Sequence, residues 1–370
     1  MSEPLLPRYG SSTLAELVPS IASGWGLGWE DTLGLPASDR WVVMMVDGLG
    51  ESLLAERAEH APYLASLLSR RKLTCGVPST TATSLTSLGS ALTPGQHGIA
   101  GYTFRHPFAP ERLLNALAWE SGLSGLDVQP RLTALERLAK TGVAVSMVAP
   151  ARFAGTGLTD ASMRGARFAP VPDERDEDQR VRSGVAAATE GERALVYFYE
   201  RELDHVGHGR GWRSDAWTDT LARVDALAAR LRAELPGDVR LVVTGDHGMV
   251  DVAPADQVLV DDEPELLAGV DLLGGEGRLR QLYTREPGAV ARRWADRFGE
   301  DAWVRTRDEA IAEGWFGEVA ARLAPRFGDV LVAMAGGGAV MTRQQPQEFS
   351  LIGMHGSLTP AEVRVALLVD

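Results

Sequence analysis

The chain has 370 residues, 37 Lys plus Arg against 50 Asp plus Glu, and a formal charge of −13. Its 45% hydrophobic and 24% charged residues are the balance of a globular protein with ample material for a core, which excludes a disordered chain. The negative surplus argues against a nucleic-acid polymer or an anionic membrane surface as the main partner, since both reward a basic face.

In chain order, the stretch from Met1 to Arg8 has no basic segment leading into an apolar one, so no secretory leader is expected and the location reads as cytoplasmic. Trp41 to Val46 reads as a buried strand ending in Asp47-Gly48. Lys72 is one of only two lysines, with Lys140; the other cations are arginines, a bias of composition. Cys75 is the only cysteine, which excludes an internal disulfide and a thiolate metal cluster. Pro78 to Leu88, rich in Ser and Thr, reads as a loop entering a helix. Residues 105–180 look like a loop-rich insertion over the core, with a helix-like stretch at Leu132 to Ala139 and a strand at Val143 to Val148. A further strand is expected at Ala194 to Tyr199, followed by Asp204 and His208. An amphipathic helix from Asp215 to Leu235 then leads into a strand at Val239 to Thr244, with Asp246-His247 after it. Residues from about 255 to 330 read as a small α+β insertion, with a strand at Arg278 to Tyr283 and a helix at Ala289 to Phe298. The core is expected to resume at Val330 to Ala333 and to finish at Val363 to Val369. Gly336-Gly337-Gly338 reads as a turn, and His355 precedes the last strand.

Strands alternating with helices, and apolar throughout rather than on every second residue, predict an α/β fold. It is a mostly parallel central sheet with helices on both faces, carrying a small α+β cap. The working residues of such sheets lie beyond the carboxyl ends of the strands. That edge collects Asp47, Asp204, His208, Asp246, His247 and His355. Three carboxylates brought together would repel one another unless cations lay between them, and Asp and His without Cys suit a pair of zinc or other first-row ions. Gly48, Gly207, Gly209, Gly245, Gly248, Gly353 and Gly356 flank these residues, and sharp backbone turns are expected there. The Thr-rich helix start offers free N–H groups to a phosphate oxygen, and a nucleophilic hydroxyl that a neighbouring metal would activate.

Val46-Asp47-Gly48, the Thr-rich helix start, Pro94-Gly95-Gln96-His97-Gly98, Asp204-x-x-x-His208, Asp246-His247-Gly248 and His355-Gly356 follow in a fixed order. Together they resemble the alkaline phosphatase superfamily, in its nucleotide pyrophosphatase/phosphodiesterase branch, over residues 41 to about 260 and again at 350 to 370. The resemblance implies one metal on Asp204, His208 and His355 and a second on Asp47, Asp246 and His247. The ions would be zinc, with manganese as the alternative. It implies Thr81 as nucleophile, since Thr81 precedes His97 by the family's sixteen residues; Thr80 is the fallback and His97 is structural. The family's aromatic after the nucleophile is here Ala82, and its phosphoryl-binding Asn is here Ser84, which is expected to donate the same hydrogen bond. Tyr102, Phe104 or Trp119 is left to supply a ring for a nucleobase.

The expected activity is therefore a phosphodiesterase or nucleotide pyrophosphatase acting through a covalent phosphothreonine on a small phosphate ester. A phosphomonoesterase or phosphonate hydrolase on the same site, and an inactive phospho-ligand-binding homologue, are the alternatives. A sulfatase is excluded, because Cys75-Gly76-Val77-Pro78-Ser79 lacks that family's Pro and Arg spacing. Oligomeric state is not legible.

Overall fold

A computed structural model describes residues 3–370; the first two residues of the N-terminal stretch read for a leader lie outside them. The elements that position the site begin with β1 (Arg40–Val46) and α1 (Thr81–Ser90). They continue with α2 (Ala134–Lys140), β2 (Ala144–Pro150), α3 (Gly157–Met163), β3 (Arg167–Val171) and α4 (Glu177–Ala188). Next come β4 (Ala194–Glu200), α5 (Glu202–Arg210), α6 (Asp215–Glu234) and β5 (Val239–Gly245). The second half adds β6 (Val270–Glu276), β7 (Leu279–Thr284), α7 (Pro287–Phe298), β8 (Ala302–Thr306), β9 (Val330–Met334) and β10 (Leu367–Val369).

The main sheet has the order β10-β5-β1-β4-β2-β3, parallel except for β10, which runs antiparallel to β5 at the edge. Alternate residues of β1 feed two separate cores: Trp41, Val43 and Met45 pack on one face, and Val42, Met44 and Val46 on the other. That is why the strand is apolar without alternation: both faces are covered. α6 shows the helical version of the same rule, burying Leu221, Val224, Leu227, Ala228 and Leu231 along one stripe. Among the described residues, no helix is long and apolar enough to cross a membrane.

Two expectations about organisation change. Residues 105–180 are not an insertion throughout, because β2 and β3 within them are integral strands of the main sheet. The largely irregular chain over residues 106–133, just upstream, masks that role in the sequence. Val330 to Ala333 does not return to the main sheet either. As β9 it pairs with β7 and β8 in a separate antiparallel sheet of order β6-β7-β9-β8, covered by α7 through Val290, Trp294 and Phe298. An apolar run records burial but not the sheet in which it is buried.

This second sheet is pinned beneath the main sheet's working edge by a buried ion pair. The Arg278 guanidinium, in the β6–β7 hairpin, donates to Glu362 Oε1 at 3.1 Å and Oε2 at 2.8 Å, and both side chains are fully buried. Its remaining donors reach the carbonyls of Gly336 and Gly338, which gives the triple-glycine turn its purpose. Glu362 also accepts from the Ser357 amide at 3.1 Å and the Thr359 hydroxyl at 2.5 Å, bracing the loop that carries His355. Removing one partner strands the other charge in a dry interior. Glu362→Ala is therefore expected to cost about 3–5 kcal/mol of stability, read by urea denaturation of the full chain; a loss within about 1 kcal/mol of zero would show that the pair is not what holds the two sheets together.

Candidate active site

Register places the first residues. Val46 lies alongside Glu200 of β4 and Gly245 of β5, so three adjacent parallel strands end level. Asp47 and Asp246 follow directly, and α5 starts after β4 to deliver Asp204 and His208 one helical turn apart. Gly48 has φ +76°, and a Cβ there would come within 3.1 Å of Asp204 Cβ, so this turn needs glycine on both counts. Of the seven flanking glycines, only Gly48 and Gly356 adopt positive φ. Gly245 and Gly248 instead let other backbone approach: their Cβ atoms would lie 2.3 Å and 1.9 Å from the carbonyls of Leu49 and Ala361. The sharp turns expected at all seven are thus found at two.

The expected ligands converge. His247 Nε2 lies 3.4 Å from Asp47 Oδ1 and 3.6 Å from Asp246 Oδ2. The donor atoms of Asp47, Asp246 and His247 fall within 4.8 Å of one another, as do those of Asp204, His247 and His355. His208 joins through a 3.2 Å contact with Asp204 Oδ2, so the second triad gathers around His247 rather than His208 in this geometry. The rings of His247 and His355 stack with centroids 3.6 Å apart.

The electrostatics leave a positive charge wanting. Burial, then the carboxylates of Asp246 and Asp204, push the Asp47 carboxyl well above the usual carboxylate range. Burial opposes charge on His208, but Asp204 outweighs it and lifts the imidazole to about 9. Burial holds His355 well below the usual imidazole range, helped by the neighbouring His247 and His208.

A divalent cation fits this donor set on two observations. Asp47 Oδ1, Asp204 Oδ1 and Asp246 Oδ2 are buried without a hydrogen-bond partner, a costly arrangement unless something cationic meets them. All three imidazoles also donate Nδ1–H to backbone carbonyls: His208 to Gly353 at 2.7 Å, His247 to Gly248 at 3.0 Å and His355 to Ser79 at 2.9 Å. Each Nε2 is left as the ligand atom, the tautomer that metal-binding histidines use.

α1 brings Thr81 to the cluster as its first residue, with Oγ1 3.3 Å from His247 Nε2. Its N-cap, Thr80, makes no capping bond with its side chain and neighbours Glu276, on which it acts to lower the carboxyl's pKa. Ser84 is fully buried behind the cluster, and its hydroxyl donates to the Asp246 carbonyl at 2.6 Å, fixing the Asp246 loop. His97 is structural, as expected: it accepts from the Ile99 amide through Nδ1, contacts Ser87 Oγ at 3.1 Å, and burial holds it neutral, down to about 3.

A cavity of about 520 Å³ opens over Asp47, Thr81, Asp204, His208 and His355. Of the three rings expected to stack on a base, only Tyr102 lines it. Phe104 is in the core and Trp119 packs against Gly157.

Two residues were missed in the sequence. Tyr199 donates its hydroxyl to Asp47 Oδ2. Burial and Asp47 raise its own pKa, so the proton stays on the phenol. Strand alternation, carrying Tyr199 to the same side as Tyr197, is the signal that pointed to it. Glu276 ends β6 in Gly274-Gly275-Glu276-Gly277 and reaches into the cavity from the second sheet, 3.6 Å from His355 Nδ1. Burial and then Glu348 push its carboxyl well up. A lone acid in a region read as a cap carried no signal of this.

Three carboxylates and three imidazoles at the end of a mostly parallel sheet, beside a threonine opening a helix, define a hydrolase of the alkaline phosphatase superfamily. The chain belongs within it to the type I phosphodiesterase / nucleotide pyrophosphatase family, hydrolases of phosphoric ester bonds, whose family model matches residues 41–358. The match runs through the middle segments that the motifs alone left loosely related. Among solved structures, murine ectonucleotide pyrophosphatase / phosphodiesterase 5 is similar at 17% identity, covering 90% of this chain and 88% of that one, with a TM-score of 0.71. The same protein as an inactive Thr-to-Ala variant in complex with AMP gives 16% and 0.71 over the same shares. Phosphonoacetate hydrolase from Sinorhizobium meliloti 1021, in complex with phosphonoformate, gives 18% and 0.69 over 90% of each chain. At such identities the likeness shows a shared fold. A comparison with curated proteins returns no match.

Tyr199→Phe leaves the packing and deletes the one bond that orients Asp47. It is expected to weaken zinc binding about 10- to 100-fold, measured by competition with a chromophoric chelator. Unchanged affinity would mean that Asp47 is oriented without Tyr199.

Proposed function

We propose that the protein is a divalent-metal-dependent phosphodiesterase acting on small phosphate esters or pyrophosphate-linked compounds through a phosphothreonine at Thr81. The observation that carries this reading is the Thr81 hydroxyl, exposed to the cavity at the first residue of α1 and 3.3 Å from the shared His247. Asp47, Asp246 and His247 would hold one cation, and Asp204, His208 and His355 the other. Zinc suits this nitrogen and oxygen donor set, with manganese as the alternative. Such cations supply Lewis-acid charge to the phosphoryl group and to the attacking and leaving oxygens.

The chain's own residues do the rest. Thr81 Oγ1 attacks phosphorus in line as the bond to the leaving oxygen breaks, forming a phosphothreonine ester, while the hydroxyl proton passes through solvent to the leaving oxygen. Water then attacks from the vacated side, breaking the Thr81–phosphorus bond; one of its protons returns to Thr81 Oγ1 and its oxygen leaves on the phosphate. The first-turn amides of α1, ahead of the Ser84 N–H that closes the first helical bond on the Thr80 carbonyl, face the non-bridging oxygens. Ser84 and Tyr199 keep Asp246 and Asp47 in place. Thr80 is the weaker nucleophile candidate because it is buried at the N-cap beside Glu276, whereas the Thr81 hydroxyl lies 3.3 Å from His247 Nε2.

With bis-p-nitrophenyl phosphate as substrate, Thr81→Ala is expected to lower kcat on the order of 10³-fold or more and to abolish the acid-trapped phosphoprotein. Near-native turnover in that variant would remove Thr81 from the chemistry. Chelation of the full chain is expected to abolish turnover, and added zinc or manganese to restore it; activity that survives thorough chelation would overturn the metal assignment. A kcat/KM panel of a monoester, a diester, a dinucleotide and a phosphonate places the substrate class, and preference for the monoester or the phosphonate would displace the diesterase reading.

A further inference from the structure

α5 carries more polar residues into the cavity than the metals account for. Arg201 at its N-cap, Asp204, His205 and His208 are spaced three and four apart, fall on one face of the helix, and all line the cavity. Asp204 and His208 belong to the cation sites. Arg201 has no such use, yet it is the only lysine or arginine lining the cavity among the described residues. The acids there are Asp47, Asp204, Glu276 and Glu348, and Glu348 is already matched from behind by the buried Arg280.

The Arg201 guanidinium is held only by two loose ion pairs and makes no side-chain hydrogen bond among the described residues. Its nearest carboxylate oxygens are Glu202 at 3.7 Å and Glu174 at 4.0 Å, both beyond hydrogen-bond reach, and Glu174 is itself engaged by Arg152. The side chain is 29% exposed, partly withdrawn from water with its donors unspent. A planar fork of N–H groups in that state matches the paired oxygens of a phosphoryl or carboxylate group. The reacting phosphoryl group has its own partners in the cations and the α1 amides. Much of the remaining wall, with Leu85, Leu117, Met147, Phe153 and Leu158, is apolar and offers nothing to a second charge.

We propose that Arg201 is a specificity-determining residue that binds a second oxyanion of the substrate, beside the phosphoryl group that reacts. The proposal rests on the phosphodiesterase reading of the same site. It implies that the preferred substrate carries a further phosphoryl or carboxylate group, and that esters lacking one are poorer.

The test uses the metal-loaded full chain and isothermal titration with three probes: methylphosphonate, with one oxyanion; phosphonoacetate, which adds a carboxylate; and methylenediphosphonate, which adds a second phosphoryl group. The wild-type protein is expected to bind one or both of the two-anion probes more tightly than methylphosphonate. Arg201→Ala is expected to lower that affinity ratio about 10- to 100-fold, and Arg201→Lys to recover part of it. Whichever ratio falls identifies the source of the second oxyanion. No preference in the wild-type protein, or a ratio left unchanged by Arg201→Ala, overturns the proposal. Thermal melts of the variants check the fold. Wild-type hydrolysis of bis-p-nitrophenyl phosphate, measured in parallel, separates the two readings. Absent turnover with an Arg201-dependent ratio defeats the phosphodiesterase assignment alone, and turnover with an indifferent ratio defeats this inference alone.

Discussion

Three carboxylates, Asp47, Asp204 and Asp246, are driven together at the end of one sheet with an oxygen of each left unpaired. Isolated buried charges of one sign are among the most expensive arrangements a protein interior holds. Nearly everything around them reads as a response. Tyr199 ties down one oxygen of Asp47, backbone amides of Gly48 and His247 tie down one of Asp246, and His208 meets one of Asp204. What those bonds leave over points inward to common space, shared with three imidazoles whose Nδ1 protons are already placed. Local hydrogen bonding accounts for half of each carboxylate, and the other half asks for a cation.

That convergence follows from register. Level strand ends put Asp47 and Asp246 side by side with no loop needed to carry them there, and the helix after β4 adds Asp204 and His208 at a spacing set by its own turn. The second sheet completes the enclosure. Its hairpin clamps Glu362 through Arg278 and contributes Glu276, so a unit folded around its own core forms one wall of the cavity. Asp204 and His208 sit within α5, Asp47, Asp246 and His247 in the turns directly after β1 and β5, and His355 in a loop braced by Glu362.

The residues that converge at the sheet's end were legible because chemistry-bearing types at the ends of apolar runs are a local pattern, visible in a short window. The parallel sheet was legible for the same reason: Trp41 to Val46 is apolar on both faces. Sheet membership was not. Val330 to Ala333 and Val143 to Val148 look alike as strings, yet they join different sheets, and only long-range pairing decides between them. Ser84 shows a finer limit. Its position three residues after Thr81 suggested a donor to phosphate, but a hydroxyl bonds to whatever its rotamer faces, and here that is the Asp246 carbonyl. Glu276 was silent because its meaning comes from Gly356, which leaves room for its side chain, 80 residues further along the chain.

The antiparallel strand at the edge of the main sheet has a consequence for the timing of assembly. β10 is the last of the described strands, paired to β5 from Leu367 to Val369, and the segment just before it supplies His355 and Glu362. During synthesis the parallel strands, Thr81 and five of the six candidate ligands emerge first, while the carboxylates still lack His355 and the buried clamp. The parallel strands therefore precede the loop of His355 in order of synthesis, and the cluster of three carboxylates and three imidazoles closes only after residues 353–362 have been made.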